Sequence, residues 1–312
     1  MPKSAKPSPG VLLRKPFEDE INRCKNAITT NPNDPTFYAY LAHAYIVLWC
    51  YGFIPHAEAL PPATEAVEKA LAIDPECGMA HTVLGLIRES HWQWDAIESE
   101  LKLGIQFAPD DALAHNWYAN YLYANSRFAE AYIMAETAVT LSSDPGLKIG
   151  LGAISYFTQD FERLKREMLA VIADHPDYAP AYDWLGMAYI QLQEFDKSIE
   201  AYETAAKLSG RLAEILGGLG HAYGIAGREI DARNILNEMK EYAESVHVPP
   251  VQIAFVYAGL GDDNNTIAML ERAFAEKSWE LIFIRTEPWF EHLHDDSRFQ
   301  RIVERMQFLP LG

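Results

Sequence analysis

The chain holds 312 residues, 49% of them hydrophobic and 22% charged, a balance that belongs to folded proteins and not to disordered ones. Its formal charge of −18 repels phosphate backbones and anionic membrane surfaces, which excludes sequence-independent nucleic-acid binding and favours neutral or basic partners. The three cysteines, Cys24, Cys50 and Cys77, are widely spaced and form no C-x-x-C, so neither a disulfide framework nor a structural zinc site is expected.

The opening MPKSAKPSPG is polar and proline-rich and lacks the apolar core of a secretory signal. No 18-residue apolar run follows, so a cytoplasmic protein with no membrane span is expected. Residues 1–16 read as a flexible segment and 17–31 as a lone helix. Small residues then recur in one phase at Ala42, Gly85, Ala119, Gly152, Gly186, Gly220 and Ala254. The gaps are 43, 34, 33, 34, 34 and 34 residues. A second set, including Gly104, Ala138, Val171, Ala205, Met239 and Ala273, lies nineteen residues further on. Apolar residues around both sets are three and four apart, as in EAVEKALAIDP at 65–75, and the segments end near Pro or Gly. Each repeat therefore reads as two helices joined by a turn, with small residues where they cross. Hairpins repeating at this period stack into a solenoid.

The fullest copy is AYDWLGMAYIQLQEFDKSIEAYETAAKLSG at 181–210, with Tyr182, Leu185-Gly186, Tyr189, Phe195, Tyr202 and Ala205. This pattern resembles the tetratricopeptide repeat (TPR) family. The resemblance implies an all-α, right-handed superhelical solenoid of about seven hairpins over 17–279, followed by a cap at 280–312. In the cap, Phe299, Ile302, Val303 and Met306 are expected to cover the last hairpin. Three repeats depart from the pattern. They carry His81, His115 and Lys148 at the first aromatic position and Arg88, Leu122 and Ser155 at the first-helix tyrosine. The stretch 51–97 and the ending SWELIFIRTEPWFEHLHDDSRFQRIVERM are similar to the TPR halves of bacterial multidomain signalling proteins. No effector domain is expected beside them, since helices begin within about twenty residues of Met1.

The resemblance also implies a concave groove lined by the first helix of each repeat. Its positions here include His43, Thr82, Leu86, Glu89, Asn116, Asn120, Tyr123, Tyr156, Asp183, Met187 and His221. None is Lys or Arg, which argues against a clamp for carboxylate termini. Asn116 and Asn120 are four apart on one helix face and offer donors and acceptors to a peptide backbone. The function expected is a non-enzymatic interaction module that holds a neutral or basic protein segment in this groove. The sequence does not set the oligomeric state.

The first repeat carries nine extra residues, and 49–62 (WCYGFIPHAEALPP) reads as an irregular insertion because of its adjacent prolines. Trp49, Tyr51, Phe53 and His56 here, with Trp92 and Trp94 in the next turn, form an aromatic cluster. Two readings stand: a hydrophobic plug closing a widened hairpin, or a ligand-binding lip. The second supports the rival function, a small-molecule sensor or unusual enzyme using the aromatic-rich N-terminal third.

No nucleophile elbow, phosphate loop or metalloprotease motif occurs, and the glycines at 217, 218, 220 and 224 lack a preceding strand. His292 and His294 with Asp295 and Asp296 are the best metal-like group, yet H-x-H alone is a weak signal and Asp295 can cap a helix. No catalytic residue, metal or cofactor is expected.

Overall fold

The computed structural model of the chain describes residues 11–308, and every element among them is helical. Helix α1 (Val11–Thr30) stands alone. Seven hairpins follow: α2 (Pro35–Cys50) with α3 (His56–Ile73), α4 (Gly78–Ser90) with α5 (Trp94–Phe107), and α6 (Ala112–Ala124) with α7 (Phe128–Leu141). The series continues with α8 (Pro145–Phe157) and α9 (Phe161–Asp174), α10 (Ala179–Gln191) and α11 (Phe195–Ser209), and α12 (Ala213–Ile225) and α13 (Glu229–Tyr242). It ends with α14 (Pro250–Gly259) and α15 (Asp263–Glu276). Two 3₁₀ segments, Trp279–Phe283 and Pro288–Leu293, then lead into α16 (Ser297–Arg305).

Local chemistry sets these boundaries. Asp34, Asp111, Asp144, Asp160 and Asp262 each cap a helix by accepting from a backbone N–H of its first turn. The turns inside hairpins share one geometry. A single residue takes a left-handed conformation at Gly52, Trp92, Ser126, Gln159, Gln193, Gly227 and Gly261, with φ between 57° and 74°. The next residue returns its N–H to the carbonyl five positions back, at 2.8–3.0 Å, as Gln93 does to Arg88 and Asp262 to Tyr257. Only three of these seven positions are glycine, so the turns carry little compositional signal.

The small residues lie at close crossings as their phase implies. A Cβ on Gly152 would sit 2.6 Å from Met168 Cε, one on Gly186 2.5 Å from Tyr202 Cε2, and one on Gly220 2.6 Å from Val256 Cγ2. The departures from the aromatic pattern are met by polar substitutes. His81 and His115 each contact the carbonyl six residues back, Pro75 and Pro109, at 2.9 Å, as the Tyr182 hydroxyl does to Pro176 at 3.0 Å. Arg88 and Ser155 both donate to a carboxylate twelve residues on, Glu100 at 3.0 Å and Glu167 at 2.9 Å. Helix pairing survives because the replacement side chains keep a partner.

Two boundaries differ from expectation. The segment 1–16 is not uniform: residues 1–10 lie outside the described residues, whereas 11–16 already belong to α1, which runs through Pro16. The insertion at 49–62 is not a long loop, since α2 extends to Cys50 and α3 starts at His56 with Pro61 and Pro62 inside it. Those prolines forfeit two helical hydrogen bonds, but the carbonyls released belong to Ala57 and Glu58, which are exposed and reach water.

The superhelix closes on itself. The turn after α2 meets the start of α14, where a Cβ on Gly52 would lie 2.4 Å from Pro249 Cγ. Trp94 of the second hairpin donates its indole N–H to the Met306 carbonyl at 2.7 Å and packs on Phe308. Phe299, Ile302 and Met306 are buried and Val303 partly so. The cap therefore joins the last hairpin to the second and does not simply face water. Asp296, not Asp295, caps α16.

Candidate functional site at the concave face

The first helices of the hairpins, α4 to α14 in alternation, turn one face inward. The segment after α15 lies along that face and fills part of it. The Trp279 indole donates to Glu89 Oε2 at 3.0 Å, and Phe283 stacks on Tyr123 and Phe157 at 5.4 and 5.1 Å. The Tyr156 hydroxyl donates to Glu287 Oε1 at 2.6 Å, and Gln252 donates to Glu280 at 3.0 Å. Trp289 lies flat on His221, with ring centroids 4.1 Å apart. His221 donates its Nδ1–H to the Phe255 carbonyl at 2.9 Å, and burial holds its pKa down to about 4, so the stacked ring is neutral.

The predicted groove residues divide accordingly. Glu89, Tyr123, Tyr156 and His221 grip the C-terminal segment. Asp183 and Met187 line a cavity of about 120 Å³ between that segment and α10, α12 and α14. His43, Asn116 and Asn120 line a second hollow of about 210 Å³ that the segment reaches only through Trp279. Thr82 and Leu86 line neither hollow. Thr82 is fully buried against α5, its hydroxyl 2.3 Å from where a Gly104 Cβ would be, and Leu86 is 2% exposed in the core.

The aromatic cluster is not a ligand-binding lip. Trp49 donates to the Lys277 carbonyl at 3.0 Å, Trp92 packs on Phe274 at 4.4 Å, and Trp94 holds Met306. Phe53 is buried, and His56 bridges the two turns by packing on Trp49 and His91. These residues seat the end of the chain. Tyr51 alone stays 46% exposed, on the rim of the second hollow.

Electrostatics sets the two regions apart. In the first, burial pushes Asp183, Glu280 and Glu287 up to about 7 and Glu214 well above the usual carboxylate range. Glu89 is likewise pushed up to about 7 by burial. None of the five carboxylates is in an ion pair among the described residues. In the second, Asp144 is the charged side chain, and His43, held down to about 4 by burial, accepts from the Trp117 indole at 3.0 Å. Among the described residues no group of three or more His, Cys, Asp or Glu is placed to hold a metal ion. His292 instead faces Asp263 at 3.2 Å on the surface.

Sequence reasoning did not select Tyr202, Glu214, Trp279, Glu280, Phe283, Glu287 or Trp289. The available signal was the stretch 279–290, WELIFIRTEPWF, which is too aromatic for a cap that faces water.

The tetratricopeptide repeat family matches residues 179–211, the same copy that carries Gly186 and Tyr202. No curated protein matches the chain. Among solved structures, the chain is similar to the APC/C hetero-tetramer Cut9-Hcn1, with TM-score 0.63, 14% identity, and coverage of 96% of this chain and 54% of that one. It is also similar to human IFIT1, solved as a dimer with m7Gppp-AAAA, at TM-score 0.58 and 13% identity, covering 93% and 76% of the two chains. Yeast Tom70 follows at TM-score 0.52 and 13% identity, covering 95% and 63%. The chain thus spans about half the length of the Cut9-Hcn1 chain, and identities this low carry the fold alone. Seven hairpins in one phase, a family match on the fullest repeat and a whole-chain fold likeness define the class. The chain folds as a solenoid of the tetratricopeptide-repeat type, and its residues 179–211 match that repeat family.

Proposed function

We propose that this protein is an interaction scaffold that takes a neutral or basic segment of a partner protein in the open part of its groove. The observation that carries this reading is the hollow at His43, Asn116 and Asn120. It has a volume of about 210 Å³, no cationic side chain lines it, and the C-terminal segment leaves it unfilled. Asn120 lines the hollow with no side-chain hydrogen bond among the described residues, and Asn116 Oδ1 is buried without a partner, lodged where Gly150 lacks a Cβ. Such amides suit a peptide backbone, which offers both donors and acceptors. Tyr51 on the rim supplies an aromatic face for an apolar anchor, and the −18 charge draws basic chains and repels acidic ones.

The test is a peptide-display selection on the full chain, followed by titration of the selected peptides against wild type and Asn116→Ala/Asn120→Ala. Selected sequences are expected to be neutral or basic. The double variant should bind about ten- to a hundredfold more weakly, the effect of losing hydrogen bonds that together contribute roughly 1–3 kcal/mol. Acidic winners, or unchanged affinity with intact helicity, would remove the hollow from the account.

A further inference from the structure

The cavity of about 120 Å³ under the C-terminal segment serves no part of that reading, and its lining is chemically specific. Asp183 and Glu214 enter it from α10 and α12, Glu280 from the first 3₁₀ segment, and Glu287 from the position that caps the second. Trp184, Trp279 and Trp289 add indole faces to the same wall. No Lys or Arg lines it. Glu287 is buried and the other three acids are half-buried, and no counter-ion meets any of them; proteins normally pair carboxylates gathered in one wall or hold them around a cation.

A second observation is independent of the acids. Tyr202 belongs to α11, a second helix whose residues normally face away from the groove. Its ring passes between Gly186 and Gly218, where added Cβ atoms would lie 2.5 and 2.3 Å from ring carbons. Two glycines on successive first helices therefore open a slot through which a tyrosine reaches the cavity wall. Its hydroxyl is fully buried and has no hydrogen-bond partner. Buried hydroxyls are almost always bonded, so one delivered to a cavity unpartnered marks a place for a ligand atom.

From the acids, the indoles and this hydroxyl, we infer that the cavity binds a small organic cation, an aliphatic amine or guanidine. The carboxylates and the Tyr202 oxygen are acceptors for its N–H groups, and the indole faces attract the charge and cover the methylenes. A metal ion fits less well. The four acids come from opposing walls, and no three acidic or metal-binding side chains among the described residues converge as ligands. The volume sets the size: at roughly 10–15 Å³ per water position it has room on the order of ten, which suits about six to ten non-hydrogen atoms. Because the 3₁₀ segments roof the cavity, a free amine fits it and a peptide-borne lysine does not. A bound cation would also tie Asp183 and Glu214 on the solenoid to Glu280 and Glu287 on the C-terminal segment, fastening that segment in place.

The experiment is calorimetric titration of the full chain with putrescine and agmatine, with 1,4-butanediol as the uncharged control and Mg²⁺ as the metal control. At least one amine should bind tighter than about 1 mM while butanediol and Mg²⁺ do not. Glu214→Gln and Asp183→Asn keep the shape of the wall and should each weaken that amine at least about tenfold. Tyr202→Phe keeps the ring in its slot and should weaken it about three- to tenfold, with the circular dichroism spectrum unchanged. Asn116→Ala/Asn120→Ala should leave amine binding unaltered, so failure here and failure of the peptide reading are separable. Absence of amine binding, equal binding of butanediol, binding of Mg²⁺ alone, or amine affinity unchanged in Glu214→Gln would each overturn the assignment.

Discussion

Trp279 donates its indole N–H to the Glu89 carboxylate at 3.0 Å, joining two residues 190 positions apart in the chain. Glu89 ends α4 in the second hairpin, whereas Trp279 begins the C-terminal segment. One hydrogen bond thus links an early first helix to the chain's end across the inside of the superhelix. The carboxylate is 3% exposed and has no cation partner, so burial dominates its titration.

The sign of that effect is testable. The Glu89 pKa is pushed from 4.5 up to about 7, so folding favours its protonated form. The stabilisation is complete below about pH 4.5 and is lost as pH rises through 7. Its hydrogen-bond partner, the Trp279 indole, supplies no positive charge to offset the loss. His43, His56 and His221, held down to about 4, act in the opposite sense and lose stability as pH falls from 6.5 towards 4. The difference between Glu89→Gln and wild type removes their contribution. The variant should gain stability relative to wild type between pH 5 and pH 8, by up to roughly 3 kcal/mol. Chemical denaturation at both pH values measures it, and a pH-independent difference would contradict the burial of this carboxylate.

Gly218→Ala should cost about 1–3 kcal/mol, since the new methyl would meet the enclosed Tyr202 ring at 2.3 Å and the ring has no room to withdraw. Thermal unfolding is the readout. An unchanged Tm would mean that Tyr202 does not thread this slot.

Trp289→Ala should cost about 3–5 kcal/mol, because the indole is 5% exposed and stacked on His221. Deleting 278–312 should go further, uncovering Tyr123, Tyr156 and Phe157 together and creating dye-binding apolar surface. A truncated protein that stayed monomeric with the Tm of the full chain would show that the segment contributes nothing to the fold.

The solenoid was legible because its signal is redundant: seven small residues hold one phase, and each sits where a larger side chain would separate two helices. The terminal cap was legible for the same reason, from the helical spacing of Phe299, Ile302 and Met306. The covering of the groove was not. Repeat geometry dictates which residues face inward, and Glu89, Tyr123, Tyr156 and His221 do, but it says nothing about what lies against them. That depends on the closure of the superhelix, visible only in contacts such as Trp94 with Met306 and Gly52 with Pro249. The choice between plug and lip for the aromatic cluster stayed open for this reason, since the indoles of Trp49 and Trp94 meet chain segments more than 200 residues away. Tyr202 was read as a packing residue because second-helix residues ordinarily are. Its access to the groove needs glycine at both 186 and 218, a conjunction that no single repeat displays.

The central claim is that the chain's own C-terminal segment occupies the concave face. It is tested most directly by placing the photo-crosslinking residue p-benzoylphenylalanine at Phe283 and mapping the product by mass spectrometry. Phe283 stacks on Tyr123 and Phe157, so intramolecular crosslinks to the peptides of α6 and α8 are predicted. Crosslinks confined to α15, or found only between molecules, would contradict it.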